Sequence, residues 1–428
     1  MKAVGIVAEY NPFHYGHLYQ MRKAKELSGA DFVVVAMSGD YVQRGVPAML
    51  SKYYRTKMAL ACGADLVLEI PVRYATADAG TYASAAMEIF QKLNHMDAIS
   101  FGCEKNSLPY IGSLAKICVA HGEEINDSIK AFQKQGLSYA VAREKAIASL
   151  CKTPQTFYPH EDSASFPTGE KLSEILQSPN SILGLEYLKA KEKLSFSAKV
   201  YPVERIATGY HDTAPSSYPG LSGEGEIASA TAIRKIYEES KNVQKIRELV
   251  PQEAYEEIPL LEGNCCRLLA DDFSDFLFYR LLHTPFSELT DYEGITSDLA
   301  HSITNIAGQF LSFSEMADRL CSKSYTRSRI NRALLHLILS VRKKEDSSTS
   351  IPFLRVLGMR KAASWLLKDT EVPVITSLAK SEKMLDEHSL SLLQEDIMAS
   401  RLYNYVLESK YGPQIVPGEY QHYPVILS

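Results

Sequence analysis

Two histidines three residues apart, His14 and His17, lie in the string Asn11-Pro12-Phe13-His14-Tyr15-Gly16-His17. Imidazoles at this spacing around a glycine suit an anion. With His14 in a loop and His17 in the first turn of a helix, both rings can point at the same group. A helix start adds N–H groups without intrahelical partners and a partial positive charge, a natural seat for phosphate. Gly16 lets backbone approach a ligand closely. Pro12 stiffens the turn and disfavours helix at Asn11. As donors, His14 and His17 can stabilise charge that builds on an α-phosphate as pyrophosphate leaves. The pair also reads as half of a metal site, although no third ligand of the H-E-x-x-H kind follows.

Such chemistry needs an element on each side. Ala3 to Ala8 is an apolar run of strand length, and Leu18, Met21, Ala24 and Leu27 recur at near-helical spacing. The motif therefore falls at a strand-to-helix turn, the end of an open parallel sheet where ligands bind. Further apolar runs are Phe32–Met37, Leu66–Ile70 and Ala98–Phe101, separated by helical segments at Tyr53–Cys62 and Ala79–Leu93. This α/β alternation predicts a doubly wound parallel sheet with its first strand central.

Other chemistry-bearing residues should reach the same rim. Gln43 and Arg44 lie in the glycine-rich loop after the second strand, and Gly102 ends the fourth. Arg55, with Lys52 and Lys57, sits on a helix that reads as a solvated face or an aid to phosphate or RNA. A mostly polar helical insertion is expected at about 107–195. Asn180 stands near a helix start, where its amide caps or binds ligand. Arg205 ends a fifth strand, Val200–Ile206. Tyr210–Glu226, rich in glycine and proline, reads as a lid. Ser229, Thr231 and Arg234 open the next helix, suited to phosphates or to simple N-capping.

After about residue 245 the alternation stops. Residues 1–245 read as one domain and 246–428 as a mainly helical second domain. Within the latter, Ile351–Leu357, Met359–Leu367 and Pro373–Ser377 form a small β-α-β unit with Gly358 at the turn. Ile330, Leu334, Leu337, Ile338 and Val341 make the buried stripe of an amphipathic helix, with Arg327, Arg329 and Arg332 beside Tyr325. Those arginines suit a phosphate backbone or a solvated face.

Composition narrows the classes. A formal net charge of −5 excludes a protein-wide basic field, so RNA binding requires a local basic face. No apolar run approaches the ~18 residues of a membrane span. Seven cysteines without a C-x-x-C pair imply free thiols, a reducing cytoplasmic setting and no structural zinc.

Gly5 to His17 resembles the first signature of the nucleotidyltransferase superfamily, whose H-x-G-H motif is shared with class I aminoacyl-tRNA synthetases. The fuller string Val7 to His17 resembles the bacterial tRNA(Met) cytidine acetate ligase family. That resemblance implies a nucleotidyltransferase-type Rossmannoid fold. It implies an ATP site at Val7, Ala8, Glu9, Tyr10, Asn11, Pro12, Phe13, His14, Tyr15, Gly16, His17, Leu18, Tyr19 and Gln20, completed by Gly102, Asn180 and Arg205. His14 and His17 take the catalytic role, and Ser229, Thr231 and Arg234 resemble the superfamily's second phosphate signature. The implied reaction activates acetate with ATP as acetyl-adenylate, then acetylates the wobble cytidine of elongator tRNA(Met). Magnesium would accompany the triphosphate, with no metal bound by protein alone, and no membrane partner is expected. Arg327, Arg329 and Arg332 would contact tRNA. The alternative is an adenylyltransferase that joins AMP to a small phosphorylated metabolite.

Overall fold

In the computed structural model, the described residues are 1–152, 166–205, 228–261, 264–344, 351–412 and 417–428. The loop Tyr210–Glu226, read above as a lid, lies outside them.

The sheet is built from β1 (Ala3–Ala8), β2 (Phe32–Ser38), β3 (Leu66–Ile70), β4 (Ala98–Ser100), β5 (Lys199–Val200), β6 (Leu354–Arg360), β7 (Val374–Ile375) and β8 (Val425–Leu427). Its order is β7-β6-β3-β2-β1-β4-β5, with β8 also on β6. As expected from the alternation, β1 is interior and its neighbours are parallel, in register from Ala3 opposite Phe32 to Ala8 opposite Met37. The strands read as unbroken apolar runs because both faces are covered. Val4, Ile6, Val33, Val35 and Met37 face one core; Ala3, Val34, Ala36, Leu66 and Leu68 face the other.

Helix α1 (Tyr15–Ser28) lays Leu18, Met21 and Ala24 on the first face. Helices α2 (Lys52–Ala61), α5 (Ala230–Ser240) and α6 (Arg327–Leu339) join that core. Helices α3 (Ala79–Lys92) and α4 (Pro179–Lys193) cover the second face with the helices of the insertion. Helix α7 (Glu387–Tyr411) contributes to both cores.

Three expectations need correction. The sheet takes strands from both sides of residue 245, because β6 pairs antiparallel with β3. Residues 351–377 thus extend the main sheet. Gly358 lies inside β6 at a register shift between Val356 and Gly358, not at a turn. Its missing Cβ leaves room for Thr56, Leu60 and the Val425 carbonyl, and the following segment Lys361–Leu367 is 3-10 helix. Finally, Lys52 and Arg55 are buried in α2 at 0% exposure. Lys52 Nζ bonds Glu69 at 2.9 Å, Glu419 at 3.1 Å and Ser400 Oγ at 2.8 Å. Arg355 pairs with the same two glutamates. This ionic cluster ties the C-terminal segment to α2, β3 and β6.

The loop after β2 is fastened to α6 by a glycine. Gly45 has φ of +74°, and a Cβ there would overlap the backbone of Asn331 and Arg332. That close approach puts Gln43 and Arg44 beside the start of α6.

Candidate active site

The turn between β1 and α1 is held by its own imidazoles. His14 is the N-cap of α1, and its Nδ1 accepts from the Gly16 N–H at 3.1 Å. His17 Nδ1 in turn accepts from the His14 N–H at 3.3 Å. The two side chains form a reciprocal capping box made of histidines. Because both Nδ1 atoms accept, each neutral ring carries its proton on Nε2 and keeps a donor there. The rings stack with centroids 3.7 Å apart. Gly16 is required for this arrangement, since a Cβ would come 2.9 Å from His14 Cε1.

Burial sets their charge. His17 is pushed down to about 3, chiefly by burial and then by the charge of Arg205. His14 is pushed well below its ordinary value by burial, His17, Arg205 and Arg234. His336 on α6 is likewise pushed to about 4 by burial. Below pH 6.5 the unfolded chain binds protons at these rings and the folded chain does not. Stability therefore falls as pH drops from 6.5 towards 4, each ring adding a slope of up to about 1.4 kcal/mol per pH unit. Urea midpoints at a series of pH values test this, and a midpoint flat across the range would contradict it.

A cleft opens over the imidazoles in two lobes. The smaller, about 190 Å³, is lined by Gly16, Tyr19, Phe101, Gly102, Leu183, Val203 and Ala228 among others. The larger, about 690 Å³, runs past Glu9, Asn11, Arg44 and Arg234 to Thr326, Arg327 and Ser328. Val7, His14, His17, Gln20, Asn180, Leu183, Tyr187, Arg205 and Ser229 border both lobes. Four helix starts converge there: α1, α4, α5 and α6. The positive ends of their dipoles favour an anion in the cleft, although side chains of His14, Ser178 and Ser229 already cap three of them.

Most of the residues singled out in the sequence meet at this cleft. Ala8, Tyr10 and Thr231 join those already named. Asn180 does not cap α4, because Ser178 does; its amide donates instead to Glu104 at 3.2 Å. Ser229 caps α5 and still faces the cleft. Arg234 donates to the Asn11 carbonyl at 2.6 Å and to Thr231 at 3.1 Å.

Pro12, Phe13, Tyr15 and Leu18 line neither lobe. They are buried: Phe13, just before the helix, and Tyr15 and Leu18, on its inward face, belong to the core under α1. Arg55 lines neither lobe either. It donates to the carbonyls of Leu50, Glu9, Ser38 and Gly39 and so stitches the ends of β1 and β2. Of the three basic residues on α6, only Arg327 lines the cleft, where it pairs with Asp318. Arg329 and Arg332 turn to the other flank of the helix.

The sequence model of the HIGH nucleotidyl transferase family matches residues 1–415. The chain is 34% identical over 432 residues to the tRNA(Met) cytidine acetate ligase of Lysinibacillus sphaericus, covering 99% of this chain and 100% of that one. This chain belongs to the tRNA(Met) cytidine acetate ligase family. A second member, from Caldanaerobacter subterraneus, is 34% identical over 94% of the chain and 95% of its own length. The crystal structure of Thermotoga maritima TmcAL bound with alpha-thio ATP superposes with a TM-score of 0.83 at 26% identity, covering both chains completely.

For this member of the tRNA(Met) cytidine acetate ligase family, sequence reasoning missed part of the cleft. Tyr82, Leu183 and Tyr187 come from the inward faces of α3 and α4, and Thr326, Ser328 and Asn331 from the start of α6. The apolar stripe and the basic string around Tyr325 were the signals for α6, and they pointed to a buried face with a phosphate-binding or solvated flank rather than to the histidine cleft.

Proposed function

We infer that this chain is an ATP-dependent tRNA(Met) cytidine acetate ligase. It activates acetate as acetyl-adenylate and acetylates the wobble cytidine of elongator tRNA(Met) to N4-acetylcytidine. One observation carries this reading: neutral, donor-bearing His14 and His17 stand where four helix starts meet, in a chain alike along its whole length to ligases of that name.

The smaller lobe, with Phe101, Leu183 and Val203, suits the adenosine, which brings Gly102, Asn180 and Arg205 to its ribose and α-phosphate. The larger lobe suits the outer phosphates, acetate and the incoming base. An acetate oxygen attacks the α-phosphorus and pyrophosphate leaves. The Nε2–H groups of His14 and His17, with Arg205 and Arg234, receive the charge that builds up. The cytidine N4 amine then attacks the acetyl carbonyl, AMP departs, and the nitrogen sheds a proton. That amine is a weak nucleophile, so orientation in the cleft supplies much of the rate. The base must be splayed from its loop to enter.

Magnesium would arrive on the triphosphate. Glu9 is the one carboxylate among the described residues lining the larger lobe, and its Oε1 already accepts from the Gln43 N–H at 2.9 Å. Phosphate oxygens would therefore hold most of the ion's coordination. Among the described residues no helix is long and apolar enough to cross a membrane, and all seven cysteines are free thiols. A cytoplasmic enzyme fits the thiols.

The test is a pair of assays on the full chain. With ATP and labelled pyrophosphate, label should enter ATP when acetate is added. With ATP and acetate, a transcript of elongator methionine tRNA should gain one acetyl group at its wobble cytidine. Exchange that needs a phosphorylated metabolite and ignores acetate would establish the adenylyltransferase alternative instead.

A further inference from the structure

A second cavity, of about 470 Å³, lies on the opposite flank of α6 from the cleft. Arg73, Arg329, Arg332 and Lys344 line it, against Asp78 and Glu293. His336 beside them is neutral, held between Thr76 Oγ1 at 2.9 Å and the Glu293 carbonyl at 3.0 Å.

Three of the four cations are engaged. Arg73 binds Glu395 and the Arg342 carbonyl, the latter at 2.7 Å. Arg329 lies 4.6 Å from the Tyr325 ring centre. Arg332 reaches the Gln43 carbonyl at 3.4 Å. Lys344 differs: its Nζ is shielded from solvent and makes no hydrogen bond among the described residues. Burial and the nearby Arg73 push its ammonium below the ordinary lysine value, outweighing the opposing charge of Glu395. A shielded donor without an acceptor is costly, and an anion entering the cavity would remove that cost.

Geometry says which anion. Ser328 and Asn331 border the active cleft while Arg329 and Arg332 border this cavity, so one helix separates the two. Their separation is about the width of a helix, ~10 Å. A polyanion with one base in the cleft reaches this cavity when its neighbouring backbone crosses α6. The chain as a whole carries net charge −5, so attraction for such a backbone has to be local.

We propose that this cavity holds a backbone phosphate of the RNA whose cytidine enters the cleft, with Lys344 donating to it. The proposal rests on the tRNA ligase reading above.

Lys344→Gln, Lys344→Glu and Lys344→Arg in the full chain test it. Affinity for the elongator methionine tRNA transcript is measured across salt concentrations, beside acetate-dependent pyrophosphate exchange. Lys344→Gln should weaken tRNA binding and shrink the log–log salt slope by about one. Lys344→Glu should weaken it more, Lys344→Arg should restore it, and exchange should keep its wild-type rate in all three. Unchanged tRNA affinity and slope in Lys344→Gln would overturn the proposal. So would a raised requirement for pyrophosphate or ATP in the exchange without a change in tRNA binding, which would assign the cavity to a free phosphate compound. Lysine-dependent tRNA binding by a protein that never acetylates the tRNA would support the phosphate site and refute the ligase reading, so the two fail separately.

Discussion

Replacing His17 by alanine should lower acetate-dependent pyrophosphate exchange by roughly 100- to 1,000-fold, the usual loss when one pre-aligned donor to a developing charge is removed. The imidazole has two tasks, and alanine ends both. Its Nδ1 accepts from the His14 N–H at 3.3 Å, half of the box that starts α1. Its Nε2 is left as the donor of a residue that lines the cleft. Loss of the ring also unstacks His14, whose centroid lies 3.7 Å away. His17→Asn is the informative companion, because an amide keeps both an acceptor and a donor. It should recover part of the lost rate. Affinity for tRNA should stay near wild type in both variants, since the ring serves the nucleotide step. A His17→Ala protein that keeps more than about a tenth of the exchange rate would remove the imidazole from the mechanism.

Arg55→Met should cost about 3–5 kcal/mol of folding stability, the range seen when a buried charged hydrogen-bond hub loses one partner. Arg55 is 0% exposed, and its guanidinium serves four carbonyls from three segments. Methionine fills much of the volume and satisfies none of them. Arg55→Lys should recover little, because one ammonium cannot match the planar fork. The urea midpoint should fall with an unchanged m-value. Exchange should fall too, because the Glu9 carbonyl bound by Arg55 at 2.6 Å lies at the start of the histidine string. A midpoint within about 0.5 kcal/mol of wild type, the range of a neutral surface change, would make the arginine a bystander.

The first strand, the histidine turn and the first helix were legible because every cue is short-range. The apolar run Ala3 to Ala8, the glycine between His14 and His17, and the apolar residues from Leu18 onward at near-helical intervals all act within one β–α unit. The same holds for Ser229 and for the start of α4, where Pro179 and Ser178 mark the helix locally. Gly102 and Arg205 were found by counting strands, since strand ends in a parallel sheet share one rim.

Lys52 and Arg55 were misread for the opposite reason. On residue type alone both belong on a solvated helix face, and burial becomes tolerable only through partners far along the chain. Glu419, which accepts from Lys52, is 367 residues away. The pairing of β6 with β3 and the approach of α6 to the cleft are likewise contacts between distant segments.

By itself, then, the chain's order of residues determined the local chemistry: a phosphate-seeking turn with two imidazoles, set at the end of a buried strand. Tertiary structure alone decided that the C-terminal region completes the sheet, that the start of α6 closes the cleft, and that Arg329 and Arg332 face a separate cavity. Local propensity and capping act over a few residues and are written in neighbouring letters. Which charges are shielded, and which helix ends meet, depends on how distant surfaces pack, and no single stretch of sequence carries that information.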